Sequence, residues 1–163
     1  RMRPGDNLML HKCLGMITPG DVVVIDTCGC RTNSVLGDLI ATAAFAAGAA
    51  GIVVDGAIRD IGELKEKQFA VFTRCITPAV GDKDGPGEIN FPIACGGVPV
   101  LPGDIVIGDE NGVVVVPPGD AQEVLQAAEK KLAYEEKRRS DIDQGIFLNP
   151  KIDEQLRGKG VIE

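Results

Sequence analysis

The sequence predicts an α/β fold with a compact β core flanked by helices. Three observations carry this reading. Short β-branched runs of strand length alternate with helical segments, Pro-Gly-Asp turns frame those runs, and one long amphipathic helix follows the last of them. The Pro-Gly-Asp turns begin at Pro4, Pro19, Pro102 and Pro118, and Pro-Gly is a natural centre for a type II turn.

In chain order, Asp6 to Gly15 reads as a short helix, with Asp6 as N-cap and Gly15 as its stop. Pro19 to Asp26 (PGDVVVID) and Pro102 to Asp109 (PGDIVIGD) are turn-to-strand units that share turn chemistry and do not require duplication. Leu36 to Gly48 is an Ala-rich helix whose small side chains permit close packing, with Gly48 at its C-terminal end. Ile52 to Asp55 is a buried strand, Ile61 to Lys67 a short helix, and Ala70 to Thr73 another strand. Ile89 to Ala94, Val98 to Leu101, Ile105 to Ile107 and Val113 to Val116 are short strands of a compact β layer. Asp120 opens the clearest helix, because Asp120 and Glu123 have capping-box spacing and Ala121, Val124, Leu125, Ala128 and Leu132 form one apolar stripe. That stripe is expected to pack on the β layer, while the charged run Glu135 to Arg139 faces solvent. Residues 1–145 read as a single domain, and 146–163 as an irregular tail, interrupted by Pro150 and Gly158, that docks on a neighbouring subunit.

Composition limits the partners. With 163 residues, 44% of them apolar, the chain can bury one core. The formal charge of −7 argues against a broad nucleic-acid surface. A negative protein that binds a small acid must gather positive charge locally, which singles out Arg31, Arg59 and Arg74. No apolar run reaches membrane-spanning length and no secretory leader opens the sequence, so a cytoplasmic protein without membrane contact is expected. Five cysteines do not form a paired secreted framework, and Cys28-Gly29-Cys30 lacks the second pair a zinc site needs. The single histidine, His11, leaves no room for a hydrolase triad and reads as structural.

Chemistry concentrates around Arg59 and Asp60. Twenty residues separate Asp38 from Arg59, and two separate Asp60 from Glu63. Gly37-Asp38-Leu39-Ile40 opens a helix, where free N–H groups suit an anion. Arg59 and Asp60 leave the C-terminal end of a strand, where open α/β sheets build their sites. Carboxylate oxygens of this kind suit Mg²⁺ or Mn²⁺. Spacing alone leaves an ordinary strand-end salt bridge as the stronger reading of the Arg59-Asp60 pair.

The run GDLIATAAFAAGAAGIVVDGAIRDIGELKEKQFAVF resembles the core signature of the RraA-like family, which includes 4-hydroxy-4-methyl-2-oxoglutarate/4-carboxy-4-hydroxy-2-oxoadipate aldolases. PGDNLMLHK, PGDVVVID, INFPIACGGVPVLPGDIVIGDENGVVVVP and the long C-terminal helix resemble it in the same order. The resemblance implies a swivelling ββα domain, assembled as a homotrimer or dimer of trimers with sites at subunit contacts. It implies a metal-dependent carbon–carbon lyase that forms pyruvate from a small 2-oxo acid, with oxaloacetate decarboxylation through the same enolate. Carried over by position, Asp60 resembles the metal-binding residue and Arg59 the arginine at the pyruvyl oxygen. Gly37, Asp38, Leu39 and Ile40 resemble the backbone cradle for the substrate carboxylate, and Asp38 and Glu63 the acidic positions near metal-bound water.

The family also contains inhibitors of the ribonuclease E machinery, a branch that tends to lack the Asp after the Arg; here Asp60 is present. An older methyltransferase label for such chains finds no support, because no strand is followed by G-x-G-x-x-G and an acidic ribose ligand. Two departures stand out. The family has a helical and strand segment before the position of Arg1-Met2-Arg3, and the stretch Thr27 to Leu36 is individual, with Arg31 either reading a distal carboxylate or facing solvent.

Overall fold

The computed structural model describes residues 1–162. Its centre is a parallel three-stranded sheet in the order β1 (Val22–Leu36), β2 (Gly51–Ile58), β3 (Ala70–Ile76). All eight residues of β2 are buried, as expected of a central parallel strand rich in β-branched residues. Helices α1 (Leu8–Leu14), α2 (Asp38–Ala46) and α3 (Ile61–Glu66) accompany it. The core unites Ile25, Leu36, Ile52, Val54 and Ile58 of the strands with Leu10, Ile40, Ala41, Ala44 and Leu64 of the helices. Ala41 and Ala44 are wholly buried, so the Ala-rich stretch does allow a close approach.

Several boundaries differ from the sequence reading for identifiable reasons. The first strand does not stop at Asp26 but continues to Leu36 through three register shifts against β2. The chain absorbs the extra residues by placing Cys28 and Gly29 in the left-handed region, at φ 55° and 68°. Thr27 secures this irregular stretch by donating its hydroxyl to the Asp55 carbonyl at 2.7 Å. Consequently α2 begins at Asp38 rather than Leu36. Asp6 is not the N-cap of α1, a position held by Asn7. Instead the buried Asp6 carboxylate accepts the N–H groups of Leu8, Asp84 and Gly85 at 2.7–2.9 Å, tying two distant loops together.

The single β layer expected beyond residue 89 is two antiparallel hairpins, β4 (Ile93–Cys95) with β5 (Val98–Val100), and β6 (Ile105–Asp109) with β7 (Gly112–Val116). Ile89 to Phe91 stay outside β4, and Pro92 cannot donate to a ladder.

The chain divides into two compact units, Arg1–Pro118 and Gly119–Glu163. The second contains α4 (Ala121–Asp143) and α5 (Pro150–Gly158). No residue of α4 is buried, and Asp120 makes no side-chain cap, so the capping box is not formed. A helix stands where an irregular tail was expected. Asn149 caps it by accepting the Lys151 N–H at 3.1 Å, and a proline in the first turn sacrifices no helical hydrogen bond. Within this unit Asn149 also donates to the Tyr134 hydroxyl at 2.6 Å, and Arg138 to the Phe147 carbonyl at 3.2 Å.

Candidate functional site

Strand register explains why two motifs twenty residues apart meet. Leu36 at the end of β1 pairs with Ile58 at the end of β2, and the Arg59 N–H continues the ladder to the Leu36 carbonyl at 2.9 Å. Gly37 and Arg59 are therefore neighbours at the C-terminal edge of the sheet, where the chain turns into α2 and α3 respectively.

Gly37 must lack a side chain here. A Cβ at that position would collide with the Asp60 carboxylate and would press on the Arg59 Nε and Cγ atoms. Its φ of −137° is ordinary, so close approach and not backbone strain selects glycine. Asp60, in contrast, adopts the left-handed region (φ 59°, ψ 44°), which an aspartate tolerates better than most residues. That conformation turns the chain out of β2 and aims the Asp60 carboxylate back at the start of α2. Its Oδ2 accepts the Asp38 N–H at 2.9 Å and the Arg59 Nε–H at 3.3 Å.

The head of α2 is consequently only partly satisfied. Gly37 supplies no side-chain cap, Asp60 takes the Asp38 N–H, and the Ala41 N–H reaches the Gly37 carbonyl. The N–H groups of Leu39 and Ile40 are left by helix geometry as the free donors. Among the described residues nothing accepts them. Two such donors at the positive end of a nine-residue helix can receive an anion. Leu39 is 83% exposed there.

Two further side chains, Asp38 and Ser34, join the group, and Glu63 stands apart. Asp38 lies in the first turn, with Oδ1 3.0 Å from Lys67 Nζ and 3.2 Å from the Thr42 hydroxyl. The Lys67 hydrogen bond is the main cause of holding the Asp38 carboxyl below its usual range. Ser34, buried at the end of β1, accepts a long hydrogen bond from Arg59 Nη1 at 3.4 Å and donates to the Ala79 carbonyl at 2.7 Å. Glu63 is exposed on the first turn of α3, and among the described residues its carboxylate makes no hydrogen bond or ion pair.

Sequence reasoning thus found Gly37, Asp38, Arg59 and Asp60, which meet, whereas the Glu63 side chain contacts none of them among the described residues, and it missed Lys67 and Ser34. Lys67 follows a polar helix without a motif, and Ser34 lies in a stretch that gave no strand signal. The other flagged cations are elsewhere. Arg74 pairs with the buried Asp55 of β2, which also accepts the Gly96 N–H at 2.7 Å, so this pair fastens the β4–β5 turn to the sheet. Arg31 is exposed on β1, and His11 is exposed in the last turn of α1.

The donor set suits a hard cation. Both of the hydrogen bonds that Asp60 accepts fall on Oδ2, while Oδ1 accepts none among the described residues and the side chain is 35% exposed. No group of three or more His, Cys, Asp or Glu residues surrounds it among the described residues. One open carboxylate oxygen fits Mg²⁺ or Mn²⁺, which retain waters and take substrate oxygens, and does not fit a closed zinc site. Neither of two cavities in the first unit, of about 460 and 540 Å³, is lined by Arg59 or Asp60. The group stands at the surface of a single chain.

The family description RraA-like, Aldolase/RraA, matches residues 1–115. The chain belongs to the RraA-like family. Relatives in it carry aldolase names. A Thermus thermophilus protein named 4-hydroxy-4-methyl-2-oxoglutarate aldolase is 37% identical over 112 residues, which is 69% of this chain and 68% of that protein. A Halalkalibacterium halodurans protein, provisionally given the same name, is 47% identical over 88% of this chain and 68% of its own length. Solved structures of the family include RraAS2 of Streptomyces coelicolor, described as an unusual member of the RNase ES inhibitor RraA protein family. It superposes with a TM-score of 0.74 at 37% identity, covering 80% of this chain and 67% of that one. A Geobacillus kaustophilus structure titled as a dimethylmenaquinone methyltransferase gives 0.67 at 34% identity, covering 69% and 70%. The RraA-like fold is therefore the fold of this chain, with its parallel sheet and flanking helices.

Proposed function

We propose that this chain is a divalent-metal-dependent carbon–carbon lyase that cleaves a 4-hydroxy-2-oxo diacid to pyruvate and a second oxo acid, with oxaloacetate decarboxylation as a related activity. The observation that carries this reading is the Leu36–Ile58 register, which sets an anion cradle beside an arginine and an open carboxylate. The names of the aldolase relatives support it.

In this reading the substrate C1 carboxylate sits on the Leu39 and Ile40 N–H groups. Arg59 directs its remaining N–H groups at the 2-oxo oxygen, where negative charge grows as an enolate forms. The C4 hydroxyl gives its proton to a base and its O–H electron pair becomes the new C=O. The C3–C4 pair then moves to C3, which later takes a proton to give pyruvate. Asp38 and Glu63 hold water on either side and pass protons to and from it. Mg²⁺ or Mn²⁺ at Asp60 would supply Lewis acidity toward the oxo oxygen.

A surface site on one chain needs a wall, and the family resemblance supplies one in a homotrimer or dimer of trimers. Sedimentation at three or six times 17.1 kDa is the expected result. The second reading is a non-enzymatic RraA-type regulator of the ribonuclease E machinery, favoured by the likeness to RraAS2, described as a member of the RNase ES inhibitor family. One pair of assays separates the two. Pyruvate release from a 4-hydroxy-2-oxo diacid that disappears with chelator supports the lyase. Capture of ribonuclease E without any pyruvate release supports the regulator.

A further inference from the structure

Lys67 and Asp60 stand at the two ends of α3, and both reach the same residue of α2. Asp60 takes the backbone N–H of Asp38 at 2.9 Å, and Lys67 takes its side chain at 3.0 Å. The head of α2 is therefore held at two points. The backbone contact orients the helix end. The side-chain contact has a different consequence, which follows from where Asp38 sits.

A carboxylate in the first turn of a helix is drawn toward the free N–H groups of that turn by the positive end of the helix dipole. Here those groups are the Leu39 and Ile40 donors of the cradle. Asp38 does not cap them: its Oδ1 is held outward by Lys67 at 3.0 Å and by the Thr42 hydroxyl at 3.2 Å. Lys67 and Asp38 are both about one-third exposed, at 32% and 29%, so the pair contributes little to stability in itself. Its geometric effect is larger than its energy.

We propose that Lys67 is a positioning residue that keeps the Asp38 carboxylate off the anion cradle, so that the cradle stays open for the substrate carboxylate. This rests on the lyase reading for the identity of the substrate but not for the coupling itself. Without Lys67, Asp38 has one weak tether, the Thr42 hydroxyl, and competes for the cradle in two ways. It occupies the N–H donors, and its negative charge repels an incoming carboxylate.

The test measures binding of oxalate, a planar mimic of the pyruvate enolate, to the full chain in excess Mg²⁺ by calorimetry. Lys67→Met is expected to weaken oxalate about tenfold, or roughly 1.4 kcal/mol. Lys67→Arg, which preserves a cation within reach, is expected to restore most of it. The decisive comparison uses Asp38→Ala. In that background the cradle has no internal competitor, so adding Lys67→Met is expected to change oxalate affinity by less than about twofold. Equal affinity of Lys67→Met and wild type overturns the proposal. So does the same tenfold loss with and without Asp38, which would show that Lys67 acts on the ligand directly or on the fold. Wild-type turnover is scored separately. A wild type that binds oxalate but releases no pyruvate sinks the lyase reading and leaves this coupling intact, whereas one that binds no oxalate sinks both.

Discussion

At the scale of single residues, Arg59 and Gly37 carry the sharpest expectations. Arg59 already spends its Nε on Asp60 and one Nη on Ser34, at 3.3 and 3.4 Å, which fixes the plane of the guanidinium before any ligand arrives. A lysine has no fork with which to keep both contacts and still meet an oxo oxygen. Arg59→Lys is therefore expected to lower kcat for pyruvate release about a hundredfold while KM changes by less than about threefold. Normal turnover by that variant would remove Arg59 from the role given to it. Gly37→Ala places a methyl group against the Asp60 carboxylate. The expected result is loss of metal-dependent pyruvate release by at least about a hundredfold, with a thermal midpoint that falls only a few degrees because the Asp60 side chain that must give way is 35% exposed. A fully active alanine variant would show that Asp60 can move aside without consequence. The motif residues were legible because charge, glycine and spacing are written in sequence. Lys67 and Ser34 were not, since each matters through one partner brought near by the register of β1 on β2 and not by any local pattern.

At the scale of elements, Asp6 shows how one carboxylate holds loops that the sheet does not reach. Burial alone would raise its pKa, but the N–H groups of Leu8, Asp84 and Gly85, followed by the Arg3 guanidinium, outweigh it and hold the group below the ordinary 3.8. The sign follows from linkage. A depressed folded-state value means stability that is fully present above 3.8 and is lost as pH falls through the lower folded value. Asp6→Asn turns an amide toward N–H donors and is expected to cost about 3 kcal/mol at pH 7. The gap between the denaturation curves of the two proteins should then narrow as pH falls below 3.8. A gap that stays constant as the pH is lowered through the acid range would mean that Asp6 acts by shape and not by charge. The alternation of strand and helix up to β3 was readable because period and turn residues act locally. The extension of β1 past Asp26 was not, because Cys28 and Gly29 look like a turn and become strand only when β2 supplies a partner. The cap on α5 is hidden for the opposite reason: Pro150 reads as a breaker, whereas Asn149 before it marks a helix start.

At the scale of the whole molecule, the formal charge of −7 opposes the approach of any dicarboxylate, while in the proposed function the Leu39 and Ile40 N–H groups and Arg59 attract it at contact range. These two effects respond differently to salt. The Debye length falls from about 30 Å at 0.01 M to about 10 Å at 0.1 M, so added salt screens the distributed negative charge but barely touches hydrogen bonds made at about 3 Å. Association of such subunits, as the resemblance implies, adds to the repulsive charge and strengthens the argument. The kcat/KM for a diacid substrate is therefore expected to rise about twofold as monovalent salt goes from about 10 to about 100 mM at fixed Mg²⁺. A monoacid substrate, which meets half the repulsion, is expected to show a smaller rise. The opposite slope, a steady fall with salt for both, would mean that Arg59 and Lys67 steer the substrate from a distance and that the net charge of the chain is irrelevant to its encounter.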